Sequence, residues 1–271
     1  MIRSAQAAIR VLMAFEGQER DLGVSEISEM TGYGRSHVAK LLAVLREEGA
    51  VTQVRSRKYR IAQRVFGLGS HFVRASPLST IALPVMQDLS ALTRHSITLT
   101  IREGNEVLHL MAVDGPKFPE CRWRVGKTVS HHTSAAARVL LAHMQPGQVE
   151  YLLRTKGLPR MTDHTIVDKA AFRRALQDAH DRGYAFTVSE GVEGLAGLAV
   201  PVLAATGEVT AALAALFPQR LLPDNPLEPL CEELWKSAET LSLSLGYARY
   251  PFRRTAGPAF SARHRGQPAH A

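Results

Sequence analysis

The sequence has few cysteines, no long apolar run and no acidic residue among residues 249–271. Its two cysteines, Cys121 and Cys231, are too few for a disulfide framework or a cysteine metal cage. No stretch of about 18 uncharged apolar residues occurs, which argues against a membrane-spanning helix. The apolar start of the chain is interrupted by Arg10, so it does not form a secretory signal. We therefore expect a cytoplasmic protein.

Basic residues outnumber acidic residues at the two ends of the chain. Residues 1–75 hold 12 Lys and Arg against 7 Asp and Glu, and residues 249–271 hold five Arg and no acid. Residues 76–248 are slightly acidic, with 16 basic and 18 acidic residues. A basic N-terminal module joined to a nearly neutral one predicts a polyanionic partner for the first module only. A basic surface that only aids solubility would give the same balance, so the choice depends on the motifs.

One segment orders its charges against the helix dipole. In GYGRSHVAKLLAVLREEGAV, residues 32–51, the apolar residues Val38, Leu41, Leu42 and Leu45 share one face of a predicted helix. The start of this helix is basic and its end carries two glutamates, whereas the dipole favours the reverse order by about 0.3–1 kcal/mol. That cost is tolerable if the start faces phosphates and base edges, as in a recognition helix that enters the major groove.

The surrounding segments complete a winged helix-turn-helix. A first helix places Ile9, Leu12 and Met13 on one face, and a short second helix points Ile27 and Met30 inward. TGYG supplies the turn before the recognition helix. The following VTQVRSRKYRIA alternates around RSRK and predicts a small β-hairpin, the wing.

The candidate DNA contacts are the polar and basic residues at the start of the recognition helix and on the wing. They are Arg35, Ser36, His37, Lys40, Arg55, Arg57 and Lys58. Basic side chains of the helix can bond phosphates or guanine edges, and its short polar ones can reach bases. The wing residues would lie along the neighbouring backbone and add salt-sensitive affinity. The alternative is a solvated helix in a three-helix bundle with a charged loop.

The remainder mixes helices with alternating strands, which predicts an α+β domain with an antiparallel sheet. A linker helix is expected over residues 64–76, and CRWRVG is expected to form a strand. The predicted domains are the winged helix-turn-helix (1–63), the linker helix (64–76), an effector-binding and oligomerisation domain (77–248) and a basic disordered tail (249–271).

Four segments resemble one protein family. In their order along the chain they resemble segments of IclR-type bacterial transcriptional regulators. The four segments are LGVSEISEMTGYGRSHVAKLLAVLREEGAVTQVRSRKYRIAQRVFGLG, GKTVSHHTSAAARVLLA, LPRMTDHTIVDKAAFRRALQDAHDRGYAFTVSE and EGLAGLAVPVLAATGEVTAAL. The resemblance implies a GAF-like effector domain after the linker. The chain departs from the family pattern at Ala7, Gly34, Ala137 and Gly197, and the last two lie in or near the expected ligand pocket.

SHHTSAAARVLL is the most site-like segment of this domain. Ser134 can cap the following helix, whose free backbone N–H groups form an anion site. The resemblance implies effector contacts at Ala135, Ala136, Thr187, Leu195 and Gly197, and we add Leu110 and Trp123 as apolar walls. The spacing of His109, Cys121, His131 and His132 matches no zinc motif. Ser134 beside His132 lacks a nucleophile elbow or a placed acid. We therefore expect no metal, no cofactor and no enzymatic activity.

The function predicted from these features is a ligand-responsive regulator of a catabolic operon. Its partners would be double-stranded operator DNA, a small organic acid or acid derivative, and a further copy of the chain in a homodimer or tetramer. The sequence leaves repression and activation equally open. The alternative is a small-molecule sensor module that acts through protein partners instead of DNA.

Overall fold

The chain divides into two compact units, residues 1–76 and 77–271, in a computed structural model that describes residues 2–18, 20–116, 125–222 and 227–252. The elements of the N-terminal unit are α1 (Arg3–Met13), α2 (Val24–Thr31), α3 (Arg35–Glu47), β1 (Val51–Gln53), β2 (Tyr59–Ile61) and α4 (Gln63–Ala75). None of the described helices of either unit is both long and apolar enough to cross a bilayer.

Helices α1, α2 and α3 share one small apolar core. Val38, Leu41 and Leu42 of α3 are buried in it, and Leu45 packs against it, which confirms the apolar face predicted for the recognition helix. Helix α2 begins after Gly23, whose backbone N–H donates to the Glu26 carboxylate over 2.6 Å. The carboxylate thereby satisfies a backbone donor at the helix start.

The inward face predicted for α2 is confirmed at Ile27 and wrong at Met30, and α1 buries small residues instead of its large apolar ones. The buried face of α1 contains Ala7 and Val11, whereas Ile9 and Met13 are more than half exposed. In α2 the inward stripe is set by Ile27, and Met30 is 50% exposed. Alanine is small enough to bring α1 close to the core, so the bulkier apolar residues of that helix are left on the outside.

The wing is tied to the helices by a short backbone bridge. Strands β1 and β2 pair antiparallel, with Val51 opposite Ile61. Leu22, between α1 and α2, exchanges two backbone hydrogen bonds of 2.9 and 2.8 Å with Tyr59. Both of these side chains are buried, so the base of the wing belongs to the core of the unit while its tip projects from it.

The C-terminal unit is an α+β domain. Its described elements are α5 (Pro77–Thr93), β3 (Ser96–Glu103), β4 (Glu106–Val113), α6 (Ala135–Ala142), α7 (Pro146–Thr155), α8 (Lys169–Arg182), β5 (Ala185–Val188), β6 (Leu195–Leu203), β7 (Val209–Pro218) and α9 (Leu227–Ser244). The strands form one antiparallel sheet in the order β4-β3-β7-β6-β5. Residues 121–124 of the strand predicted at CRWRVG lie outside the described residues, and Val125 and Gly126 form a turn. The tail predicted as disordered lies outside them after residue 252, but Tyr250 is buried and its hydroxyl donates to Pro201 O at 2.6 Å, so the start of that segment is ordered.

Helices cover both faces of this sheet. Ala212 and Ala214 of β7 belong to one core cluster with the buried faces of α6, α7 and α8. The alternate residues Leu213 and Ala215 are also buried, and α5 and α9 pack against the sheet and against each other. Small residues along β7 therefore let helices approach closely. Helix α6 consequently lies with its first turn beside the ends of β5 and β6, where the candidate pocket is found.

Candidate DNA-binding surface and ligand pocket

The start of α3 presents polar and basic side chains to solvent. Arg35, Ser36, His37 and Lys40 are all exposed. The ring of His37 stands edge-on to that of Tyr33, with the centroids 5.6 Å apart and an interplanar angle of 83°. Within the described residues no ion pair engages Arg35 or Lys40. These two cations are therefore available to an anionic partner.

The tip of the wing is similarly open. Arg55 and Arg57 are exposed, and Arg57 has a φ of 60°, a left-handed conformation that is costly for a residue with a side chain. The side-chain amide of Gln53 donates to Arg57 O over 3.3 Å and accepts from Arg46 over 3.0 Å. Gln53 therefore links the end of α3 to the turn that carries the tip arginines.

Basic residues nearer the base of the wing have acidic partners within the protein. Lys58 Nζ lies 3.3 Å from Glu26 Oε2, and Arg60 makes a two-pronged contact with Asp21 at 2.8 and 2.7 Å. The hydrogen bond from Gly23, followed by those from the neighbouring cations, lowers the pKa of Glu26. The structure thus divides the basic residues of the wing into an open tip and a paired base, a division that the sequence did not reveal.

A pocket of about 220 Å³ lies in the C-terminal unit beside the first turn of α6. Its polar lining residues are His109, Lys127, Thr128, Ser130, Thr133, Ser134, Thr187 and Glu190. Its other lining residues are Val129, Ala135, Met161, Gly191, Val192, Leu195, Ala196, Gly197 and Leu216. The pocket therefore combines an apolar interior with polar groups, as is usual for small-molecule sites.

The structure brings most of the predicted effector residues to this pocket. Ser134, Ala135, Thr187, Leu195 and Gly197 all line it. A Cβ atom on Gly197 would lie 3.1 Å from the Leu216 side chain, 3.5 Å from that of Thr187 and 3.7 Å from that of Ala135. The glycine therefore leaves space in a wall where a side chain would project among its neighbours.

Two predicted residues lie elsewhere. Ala136 is buried in the core cluster beneath α6, because the helical turn rotates it away from the wall formed by Ala135. Leu110 is 3% exposed and is the additional residue of a β-bulge, where Thr100 pairs with His109 and Leu99 with Met111. His109, one residue earlier, lines the pocket instead. The remaining predicted wall residue, Trp123, lies outside the described residues.

The first turn of α6 is positioned by its cap and by two buried histidines. Ser134 Oγ accepts from Ala137 N at 3.5 Å, a long contact. The rings of His131 and His132 donate through Nε2 to Gly157 O and Pro159 O, at 2.9 and 3.0 Å. Burial lowers the pKa of both histidines, because a protonated ring would lose hydration there. His132 Nδ1 contacts Ser130 Oγ at 3.0 Å, so its hydrogen bond is to Ser130 and not to Ser134.

A buried ion pair closes the opposite side of this turn. Arg138 donates to Glu190 Oε2 at 2.6 Å, to His132 O at 3.2 Å and to Phe186 O at 3.4 Å. The side chains of Arg138 and Glu190 are only 6% and 11% exposed. Burial raises the pKa of Glu190, and the guanidinium opposes that rise. Sequence reasoning missed Glu190, because an acid and a base that are 52 residues apart give no local signal of their pairing.

Hydroxyl groups fix the loop that carries Glu190. Thr162 donates to Ser189 O at 2.6 Å, and Thr165 donates to Glu190 O at 2.7 Å. Ser189, at a φ of 54°, donates to Gln219 and accepts from Gly194 N. Hydrogen bonds within the protein therefore hold this part of the pocket wall in place without a ligand. Among the described residues, no three His, Cys, Asp or Glu side chains lie together as metal ligands would.

A winged helix-turn-helix joined to an α+β domain with a small-molecule pocket is the architecture of a DNA-binding transcriptional regulator. Residues 4–55 match the model of the IclR helix-turn-helix domain, and residues 70–243 match that of the bacterial transcriptional regulator IclR C-terminal domain. The chain belongs to the IclR family of bacterial transcriptional regulators. It is a regulator and not an enzyme.

Individual relatives agree with this assignment. The chain is 31% identical to the HTH-type transcriptional regulator KdgR of Dickeya chrysanthemi, over 87% of this chain and 78% of the relative. It is 29% identical to KdgR of Escherichia coli strain K12, over 87% and 90% of the two chains. A crystal structure of an IclR homologue from Microbacterium hydrocarbonoxydans, complexed with 4-hydroxybenzoate, matches with a TM-score of 0.76 at 28% identity, over 89% of this chain and 98% of that one.

Proposed function

We propose that the protein is a cytoplasmic, ligand-responsive regulator of a catabolic operon. It binds double-stranded operator DNA, and the binding of a small organic acid or acid derivative makes it release or engage that DNA. The observation that carries the proposal is the coexistence of an open basic surface in one unit and a preformed pocket in the other. Arg35 and Lys40 on α3 and Arg55 and Arg57 on the wing tip supply the DNA-binding charge. Base selectivity would come from Arg35, Ser36, His37 and Lys40.

The chemistry of the pocket supports an organic acid as effector. The backbone N–H groups of Ala135 and Ala136 lie in the first turn of α6, where no acceptor within the helix is available. Such a helix start favours an anion by about 0.3–1 kcal/mol. Lys127 lines the same pocket and adds positive charge. The Microbacterium hydrocarbonoxydans homologue is complexed with an acid, 4-hydroxybenzoate, which supports the same ligand class here.

Operator recognition would require two copies of the chain. One recognition helix reads only a short half-site, and two-fold operators match two-fold proteins. Phe66, Leu68 and Phe72 of α4 are 74%, 73% and 48% exposed, and Ile9 and Met13 of α1 are similarly uncovered. We propose that a second copy of this chain covers these apolar side chains in a homodimer, and that dimers can pair into a tetramer.

DNA selected from random duplexes tests the first half of the proposal. We expect a palindromic site, a dimer in sedimentation, and affinity that falls steeply with salt because phosphate contacts release counterions. The double variant Arg55→Ala/Arg57→Ala should bind selected and random DNA more weakly and lower the salt slope by about two. The matched control is Arg173→Ala/Arg174→Ala, which removes two exposed arginines of the other unit. An unchanged salt slope in the wing variant would exclude the wing as a phosphate contact.

Calorimetry with a panel of organic acids tests the second half. Ala135 is 3% exposed and lines the pocket, so Ala135→Leu should fill it and abolish binding while DNA binding without ligand persists. Ala170 is exposed at the start of α8, so Ala170→Leu is the control for an added leucine. Equal acid affinity in wild type and Ala135→Leu would place the effector site elsewhere.

A further inference from the structure

We infer that Glu190 is the specificity-determining residue of the pocket, and that it selects monocarboxylic acids carrying a hydroxyl or amino group over dicarboxylic acids. This inference rests on the proposed function, because it concerns the effector of the same pocket. Three observations carry it: Glu190 lines the pocket, one of its carboxylate oxygens accepts from Arg138, and its loop is held by hydrogen bonds.

One oxygen of the Glu190 carboxylate accepts a hydrogen bond within the protein, and the other can accept one from a ligand. Oε2 accepts from Arg138 at 2.6 Å, whereas Oε1 has no hydrogen-bond partner among the described residues. An ionised carboxylate can only accept hydrogen bonds. A ligand hydroxyl or amino group can donate to Oε1, and a ligand carboxylate cannot. Because Glu190 lines the pocket, this oxygen is an acceptor for a hydroxyl or amino group of a ligand.

Arg138 is not available to a second ligand carboxylate. Its guanidinium already serves Glu190, His132 O and Phe186 O, and its side chain is only 6% exposed. A dicarboxylic acid would bring one carboxylate to the first turn of α6, and its second carboxylate would add a further negative charge to a pocket that already contains Glu190. Like charges in a poorly solvated site repel strongly, so such a ligand would bind with a penalty or force the uptake of a proton.

The position of Glu190 is too well fixed for the residue to move aside. Thr165 holds its carbonyl oxygen at 2.7 Å, and a Cβ atom on the next residue, Gly191, would lie 2.7 Å from Thr133 Oγ1. The loop is thus pressed against the start of α6. A cavity of ~150 Å³ is enough for a benzene ring. The volume of about 220 Å³ found here accommodates a ring with a small group at each end.

Paired ligands that differ only in the second polar group test the inference by calorimetry. The aromatic pair is 4-hydroxybenzoate and terephthalate, and the aliphatic pair is 6-hydroxyhexanoate and adipate. In at least one pair we expect the wild type to prefer the hydroxy acid by about tenfold or more, as for a hydrogen bond to a charged group. In Glu190→Gln that preference should shrink to about twofold, since the amide can donate to a carboxylate.

Control variants separate charge at the pocket from charge on the loop and from damage to the fold. Glu193→Gln removes an exposed carboxylate of the same loop, whose side chain is 68% exposed, and should retain the wild-type preference. The double variant Arg138→Gln/Glu190→Gln removes both buried charges together, so no unpaired charge remains, and it should also lose the preference.

The outcomes distinguish this inference from the proposed function. A hydroxy-acid preference that persists in both Glu190 variants would overturn the role of Glu190 and leave the acid effector intact. A wild type that binds both members of a pair equally would do the same. If neither pair binds to the wild type at concentrations where selected DNA is bound, the acid effector itself is wrong, and the inference about Glu190 falls with it.

Discussion

In the N-terminal unit the arginines named as DNA contacts are exposed, whereas Arg138 of the C-terminal unit is buried and engaged by three acceptors. Arg35, Arg55 and Arg57 are exposed. Arg138 donates to the Glu190 carboxylate and to two backbone carbonyl oxygens. Under the proposed function, the same side-chain chemistry would serve a DNA partner in one unit, whereas in the other it holds Glu190, a residue of the pocket lining. Substitutions should separate these roles as effects on binding and on stability.

The largest expected effect is a loss of stability in Arg138→Met. This variant leaves the Glu190 carboxylate buried without its cation, which should cost about 3–5 kcal/mol in the free energy of unfolding. Urea unfolding followed by tryptophan fluorescence measures it, because both tryptophans, Trp123 and Trp235, lie in the C-terminal unit.

Two further variants sharpen this prediction. Arg173→Met breaks the exposed ion pair with Glu150 and should leave the unfolding midpoint nearly unchanged, since solvent screens such pairs. Arg138→Met/Glu190→Met removes both buried charges and should recover most of the lost stability. Equal destabilisation by Arg138→Met and Arg173→Met would contradict the contrast between buried and exposed pairs.

Arg35→Ala should show the opposite behaviour, with a large effect on DNA and none on folding. If Arg35 makes a two-pronged contact with guanine, its loss should weaken binding to the selected site by about 1–3 kcal/mol. Binding to random DNA should fall much less, and the urea midpoint should stay at the wild-type value because the side chain is exposed. Competition binding assays measure the loss of affinity for the selected site and for random DNA. Equal losses on both would assign Arg35 to phosphate contact instead of base reading.

The sequence predicted most of the fold because most elements carry local signals. The apolar face of α3 and the alternation of the strands are properties of residues close in the chain. The exposure of Met30, which was predicted to point inward, shows where this reasoning stops. Packing chose Ala7 and Val11 over Ile9 and Met13, because the space available between helices, and not hydrophobicity alone, decides which face is buried.

The candidate pocket was predictable in outline and not in its charges. Ser134 and Ala135 could be placed at a helix start from the sequence alone, and the resemblance supplied Thr187 and Gly197. The pairing of Arg138 with Glu190, and that of Lys58 with Glu26, join residues 52 and 32 positions apart in the chain. No local pattern encodes such pairs, so Lys58 was predicted as a DNA contact although its ammonium group lies 3.3 Å from the Glu26 carboxylate.

Mild acid should lower the stability of the C-terminal unit and leave that of the N-terminal unit nearly unchanged. Burial lowers the pKa of His131, His132 and His143 below the ordinary histidine value of 6.5, because a protonated ring would lose hydration there. The folded state therefore favours the neutral rings, so their contribution to stability is complete above pH 6.5 and is lost as the pH falls through the folded-state values. Thermal unfolding monitored by tryptophan fluorescence should shift to lower temperature between pH 7.5 and 5.5.

The N-terminal unit should resist the same change in pH. The shifted groups there are the carboxylates of Asp21 and Glu26, whose pKa values lie below 3.8 and 4.5. Their contribution is lost only in stronger acid, as the pH falls through those lowered values. In His131→Gln the pH dependence of the tryptophan transition should become shallower, because the amide does not titrate. An identical profile in this variant would assign the pH dependence to other groups.

The smallest expected effect is a gain in stability, and it lies at the tip of the wing. Arg57 occupies a left-handed conformation with a φ of 60°, which costs a residue with a side chain about 1–2 kcal/mol. Glycine adopts it freely but has more entropy to lose on folding. Arg57→Gly should therefore stabilise the N-terminal unit by about 0.5–1 kcal/mol while weakening DNA binding and lowering the salt slope by about one.

Arg57→Ala is the matched control, because it removes the same charge and keeps the strain. Helical circular dichroism measures the unfolding, and salt-dependent anisotropy measures the binding. Equal stability of the two variants would show that the wing tip stores no strain, and unchanged DNA affinity in both would show that Arg57 does not contact the duplex.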